Sequence, residues 1–249
     1  MQVIVKGLLT NYSQTGRGPV LLFVHGWGDS LSTFNSVIKQ FEKNYLCISL
    51  DLPGFGKTQI PNVAWGVKDY SEFIESFVKK LDLDLYAVIG HSNGGTILMY
   101  CASHDLIGSE KLVLIASAGI RDEDAFKKSL YKVLAKSGKL VTRFLSKKAQ
   151  AKFRKKLYST AGSDILISPD LEETFKKVVG YDIQNDAKNI KAKTLLIYAE
   201  DDEATPVRYG EKLSVVIDNS ELKILSSGGH FIHQTETEKT AEIIKEFLK

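Results

Sequence analysis

The sequence predicts an α/β protein, a largely parallel sheet covered by helices on both faces, and three observations lead to it. Six short apolar runs recur along the chain: Val20–Val24, Tyr45–Leu50, Leu85–Ile89, Leu112–Ile115, Thr194–Tyr198 and Leu222–Leu225. Runs that are apolar at almost every position suit strands buried on both sides of a parallel sheet. Helical stretches lie between these runs, and alternating strand and helix places helices on both faces of one sheet. Finally, Val88-Ile89-Gly90-His91-Ser92-Asn93-Gly94-Gly95 sets a serine between two glycines where an apolar run gives way to a helix.

From Gln2 to Thr15 the alternation suits a short antiparallel hairpin, with Gly7 at its turn. The stretch Tyr70–Leu81 is a helix with Phe73, Ile74, Phe77, Val78 and Leu81 on one face. The last helix carries Ala241, Ile244, Phe247 and Leu248. Ile120 to Lys191 is longer than one crossover helix requires. It reads as an inserted helical lid, residues 120–191, within a core formed by residues 1–119 and 192–249. Phe126, Leu130, Val133 and Leu134 form one helical stripe there, and Leu140, Val141, Phe144 and Leu145 a second after Gly138. Amphipathic helices without a sheet of their own must pack on something, and the mouth of the sheet above Ser92 is the expected place.

At 249 residues, 43% hydrophobic and 25% charged, the chain suits one domain with a large core. The start lacks a basic segment followed by a long apolar run, and no stretch of about 18 apolar residues occurs, so a cytoplasmic location without stable membrane insertion is expected. Cys47 and Cys101 sit in apolar surroundings without CxxC or Cys/His spacing, which reads as two inert core thiols. Between Arg121 and Thr160 there are thirteen Lys/Arg against three acids, so this segment carries +10 and the remainder of the +3 chain −7. Two readings fit: a solvated helix face, or attraction of an anionic substrate or an acidic surface. Base-stacking aromatics are not interleaved with these cations, and a nucleic-acid partner is not expected.

A serine hydroxyl is a weak nucleophile unless it is held clear of its neighbours, next to a base and beside oxyanion donors. Gly90 and Gly94 leave room for a tight turn that does so, with Ser92 in a strained backbone region. Upstream, Val24 runs into His25-Gly26-Trp27-Gly28, whose glycines let the backbone turn toward Ser92. The backbone N–H groups of Trp27 and Asn93 are the expected oxyanion donors, aided by the positive end of the following helix. His25 sits where a loop-bracing histidine is expected. The better base is His230, in Ser226-Ser227-Gly228-Gly229-His230 beyond the last strand; His233 is less well placed and His104 lies at the far end of a helix. The acid that orients the imidazole comes from Glu200-Asp201-Asp202-Glu203, four neighbouring carboxylates.

With these residues in order, the chain resembles the α/β-hydrolase superfamily over nearly its whole length apart from the lid. The resemblance implies a mostly parallel, eight-stranded sheet flanked by helices with an inserted helical lid. It also implies nucleophile, acid and base in the order Ser92, Asp202, His230. The family's G-x-x-D-x-x-x-P-like loop aligns Ala199 with the glycine, Asp202 with the acid and Pro206 with the proline, leaving Asp201 as the alternative acid. Asp51-Leu52-Pro53-Gly54-Phe55-Gly56 is similar to the family's D-x-P-G-x-G turn. Gly56-Lys57-Thr58 lacks the first glycine of a phosphate-binding loop, because Asp51 occupies that position.

The resemblance implies hydrolysis of a small carboxylic ester through an acyl-enzyme, with no metal or organic cofactor, by a monomer or homodimer. The alternative is cleavage of a carbon–carbon bond in a diketone-like substrate, as in the similar meta-cleavage-product hydrolases. Phe231 follows the histidine where those enzymes typically carry tryptophan, and their elbow usually reads differently. A serine at the elbow argues against the dehalogenase and epoxide hydrolase branches, which use aspartate. A third reading is a non-catalytic ligand-binding member of the same scaffold.

Overall fold

The computed structural model describes residues 1–121 and 169–249. Its sheet has eight strands in the order β1-β2-β4-β3-β5-β6-β7-β8. They are β1 (Gln2–Val5), β2 (Leu8–Gly16), β3 (Val20–Val24), β4 (Leu46–Leu50), β5 (Leu85–His91), β6 (Lys111–Ile115), β7 (Lys193–Ala199) and β8 (Ser220–Leu225). The first pair is the expected antiparallel hairpin, joined by a two-residue turn in which Lys6 and Gly7 both have positive φ, 46° and 78°. Such a turn matches the twist of the strands that it joins. β2 is also antiparallel to β4, and every later pairing is parallel.

Successive side chains of a strand point to opposite faces, so each apolar run feeds two cores. Leu22, Val24, Ile48, Leu50, Val88, Leu112, Leu114, Leu196 and Tyr198 lie in one of them. This core is covered by α2 (Val67–Lys80), α3 (Asn93–Ser103), and, later in the chain, α4 (Glu172–Val179), α5 (Gln184–Ala187) and α6 (Val207–Val216). Leu21, Phe23, Cys47, Ile89, Val113, Ile115, Leu195 and Ile197 lie in the other, under α1 (Asn35–Ile38), α7 (Ile232–Thr235) and α8 (Thr237–Leu248). β8 closes the sheet, and its Ile224 is exposed, as an edge strand allows.

The helix expected over Tyr70–Leu81 begins three residues earlier, at Val67. Asp69 reaches back to accept a 2.7 Å hydrogen bond from the Gly66 N–H, satisfying a donor that the first turn leaves free. Tyr70, Phe73, Ile74 and Phe77 are fully buried, each worth roughly 1.5–3 kcal/mol of apolar transfer. Asp82, at φ 50°, ends the helix. The predicted C-terminal helix is α8, with Ala241, Ile244, Phe247 and Leu248 buried.

Residues 122–168 lie outside the described residues, and with them the predicted stripes at Phe126–Leu134 and Leu140–Leu145 and all but Arg121 of the basic segment. The described remainder of the interval crosses the open end of the sheet and then joins the core. Phe175 of α4 contacts the Trp27 ring at 5.2 Å, whereas Ile183, Ala187 and Ile190 are buried below. Among the described residues, no helix is long and apolar enough to cross a membrane.

Two strands diverge from β3: β4 pairs on one side of it and β5 on the other. Loops leaving such a switch point at the carboxyl ends of parallel strands part from each other and leave a crevice. The loops after β3, β5, β7 and β8 all open at this end.

Candidate active site

The elbow is built by close approach. Ser92 caps α3 in a left-handed conformation, φ 50° and ψ −119°. A Cβ at Gly94 would lie 2.2 Å from the Val24 carbonyl oxygen, and one at Gly90 2.6 Å from the Gly95 Cα. A side chain at Gly94 would therefore push the helix off β3, one at Gly90 would push it off β5, and either would open the turn. The Ser92 N–H donates to the Ile115 carbonyl at 3.0 Å, and the Ser92 carbonyl accepts from the Ala118 N–H at 3.1 Å. Both bonds tie the strained residue to β6 and its exit, which is how an unfavourable conformation is held.

Three predicted residues meet here although they are far apart in sequence. Ser92 Oγ lies 3.0 Å from His230 Nε2, and His230 Nδ1 lies 2.9 Å from Asp202 Oδ2. With the proton on Nδ1 donated to the carboxylate, Nε2 is left as the acceptor of a hydrogen bond from the serine hydroxyl. Asp202 is 3% exposed, so its charge needs internal partners. Its Oδ1 accepts from the N–H groups of Ala204 and Thr205 at 2.8 and 3.0 Å, and Thr205 Oγ lies 2.7 Å from Oδ2. Burial pushes this carboxyl up, but the hydrogen bond and charge of His230 with the Thr205 donors outweigh it and leave it below its usual value.

The neighbouring carboxylate does a different job. Asp201 accepts from the N–H groups of Gly228 and Gly229, at 3.3 and 2.8 Å, and so anchors the loop that presents His230. Geometry separates two acids that spacing alone leaves as alternatives.

Trp27 and Asn93 stand beside this chain: with Ser92 and His230 they line a cavity of about 250 Å³. Asn93 is the first residue of α3, where backbone N–H groups have no intrahelical acceptor. Among the described residues, Ile120, Phe175, Val178, Tyr181 and Tyr209 add apolar surface to the wall. Arg121 also reaches it.

The other histidines sort by environment. His25 is fully buried; its Nδ1–H donates to the Gly26 carbonyl at 2.7 Å and its Nε2 accepts from the Leu52 N–H at 2.9 Å, a brace between two loops. His104 is stacked on Tyr100 and 3.6 Å from Asp186, away from Ser92. His233 is fully buried, 2.8 Å from Thr33 Oγ. His91, within the elbow, donates from Nε2 to the His230 carbonyl at 2.8 Å, and its ring lies 4.9 Å from that of His230. It therefore positions the main chain that carries His230. Asp51, in the turn after β4, accepts from Leu31 N–H, Lys57 N–H and Asn11 Nδ2 at 2.7–2.8 Å, which makes it a loop organiser. Burial pushes both cysteine thiols up to about 12, consistent with inert core residues.

Three of these imidazoles are held below the ordinary value of 6.5 by burial: His25, His91 and His233, the last at about 3. The unfolded chain takes up protons near 6.5 where the folded chain refuses them. Their stabilisation is complete above that pH and is lost as pH falls below 6.5, for His233 down to about 3, where the loss is up to about 1.4 kcal/mol per pH unit. The urea midpoint is expected to fall steadily from pH 7 to pH 4, with a shallower slope in His233→Gln. A midpoint independent of pH over that range would contradict this account.

Residues 19–237 match the family described as the alpha/beta hydrolase fold, and the chain belongs to it. It is similar to the AB hydrolase superfamily protein YisY of Bacillus subtilis, 25% identical over 93% of this chain and 92% of that one. It is also similar to the 2-hydroxy-6-oxo-2,4-heptadienoate hydrolase of Pseudomonas putida, 22% identical over 99% of this chain and 95% of that one. Among solved structures, the esterase EaEST of Exiguobacterium antarcticum superposes with a TM-score of 0.79, covering 99% of this chain and 98% of that one at 17% identity.

Proposed function

We propose that this hydrolase cleaves small carboxylic esters through an acyl-enzyme formed on Ser92. The observation that supports the reading most is the continuous path from Asp202 Oδ2 through His230 to Ser92 Oγ, with steps of 2.9 and 3.0 Å. In this reading His230 takes the serine proton as Oγ attacks the ester carbonyl, and the Trp27 and Asn93 amides hold the oxyanion. His230 then passes the proton to the leaving alcohol. Water, deprotonated by the same imidazole, releases the acid. Asp202 keeps the proton of the neutral imidazole on Nδ1 and stabilises the imidazolium that forms. Side chains and amides carry every step, and the chemistry calls for no metal or organic cofactor.

Residues 120–191 supply the lid in this proposal. Phe175, Val178 and Tyr181 support it, because they stand in the wall of the cavity that contains Ser92. A second reading, cleavage of a carbon–carbon bond in a diketone-like substrate, is favoured by the likeness to the Pseudomonas putida enzyme along 99% of the chain.

Hydrolysis of p-nitrophenyl esters from acetate to laurate tests the first reading. The expected result is turnover with an optimum at short acyl chains, as a cavity of about 250 Å³ suggests. Absence of turnover across the whole series, with cleavage of a vinylogous diketone acid instead, would replace it with the second.

A further inference from the structure

We infer that the substrate carries a hydroxyl or oxo oxygen on its acyl portion, bound by the Asn93 side chain and the Thr96 hydroxyl. Both residues line the cavity that contains Ser92, and both are buried, at 4% and 1% exposure. Asn93 Oδ1, Asn93 Nδ2 and Thr96 Oγ have no hydrogen-bond partner. Buried polar groups are nearly always paired, and leaving one unpaired costs about 1–3 kcal/mol. Three unpaired polar atoms on two lining residues of one cavity are a set of partners for a ligand oxygen.

Their placement defines the ligand group. Asn93 and Thr96 are three residues apart on α3 and so share one face of the helix. Thr96 lies four residues beyond Ser92, about 6 Å along the helix. An acyl group attached to Ser92 that extends along this face brings its second to fourth carbons past both side chains. The amide of Asn93 offers one donor and one acceptor, and the Thr96 hydroxyl offers either. A hydroxyl matches that set fully and a ketone oxygen matches its donors, while a plain alkyl chain would bury all three atoms unpaired. A Cβ at Gly119 would lie 3.0 Å from both Thr96 Oγ and Thr96 Cγ2, so only a glycine there leaves room beside this side chain.

This inference rests on Ser92 as the acylated residue, and it is tested by binding as well as by turnover. Ethyl butanoate, ethyl 3-hydroxybutanoate and ethyl 3-oxobutanoate are titrated against Ser92→Ala, read by tryptophan fluorescence because Trp27 lines the cavity. The oxygenated esters are expected to bind about tenfold or more tightly than the plain one, and Thr96→Val in the same background is expected to shrink that ratio severalfold. Equal affinities for the three esters, or no measurable binding of any, would overturn the inference whatever the variant does. Wild-type kcat/KM on the same esters separates the two claims. Preferential binding without hydrolysis keeps the subsite and removes the esterase reading, whereas hydrolysis of all three without preference keeps the esterase and removes the subsite.

Discussion

Ser92→Ala is expected to lower kcat toward p-nitrophenyl esters by about 10⁴-fold or more, with substrate affinity retained. The variant is a clean one. Alanine keeps the Cβ and so carries the same backbone strain at φ 50° that serine does, and the ties to Ile115 and Ala118 are made by main-chain atoms. What leaves is one oxygen, the atom 3.0 Å from His230 Nε2. Unchanged melting with lost turnover assigns the loss to chemistry. Activity within tenfold of wild type would mean that another group attacks, and a ligand response that persists undiminished in the variant would favour a binding protein on this scaffold.

The second large effect is expected at Asp202. Asp202→Asn is predicted to reduce kcat by about 10³–10⁴-fold with little change in KM. Oδ2 accepts a hydrogen bond from His230 Nδ1–H at 2.9 Å; an amide nitrogen in its place donates and turns the imidazole to the tautomer with its proton on Nε2. That tautomer cannot accept the serine proton. The main-chain donors of Ala204 and Thr205 still find an amide oxygen, so the loop is expected to hold its shape. Asp201→Asn is the control: its single amide oxygen keeps the shorter bond from the Gly229 N–H at 2.8 Å and gives up only the 3.3 Å bond from Gly228, so a change below tenfold is expected. Equal losses in the two variants would contradict the assignment of the acid.

What the sequence reveals and what it hides follow from the range of the forces involved. The buried strands are legible because burial on both faces removes polar residues from Val20–Val24 or Leu112–Ile115, and no other local demand competes there. The hairpin is legible through Gly7, whose positive φ few other residues adopt easily. Helix α1 is hidden: its one turn, Asn35–Ile38, is too short to show a period, and only packing of Phe34, Val37 and Phe41 against the sheet sustains it. The start of α2 is hidden for a related reason, because a glycine cap signals a boundary less clearly than serine or aspartate would.

The site divides in the same way. Ser92 is legible through glycine spacing and His230 through its place beyond the last strand, Asp202 only through the resemblance to the family's acid loop, and the fold brings the three within hydrogen-bonding distance. The supporting residues are not. Thr205 touches both Asp202 and His230, and His91 reaches the His230 carbonyl over a separation of 139 residues, yet neither residue type at those positions signals such a partner. The division of labour between Asp201 and Asp202 depends on which way two adjacent side chains point, a property of the folded loop.

The central claim is that Ser92 is a nucleophile activated by His230, and covalent labelling measures it most directly. Wild-type protein is treated with a fluorophosphonate, and the adduct is located by intact-mass and peptide mass spectrometry. The account predicts one phosphonyl group per chain on the peptide that contains Ser92, absent in Ser92→Ala and formed at least about 10³-fold more slowly in His230→Ala. A folded wild-type chain that stays unlabelled, or an adduct on a residue other than Ser92, would contradict it.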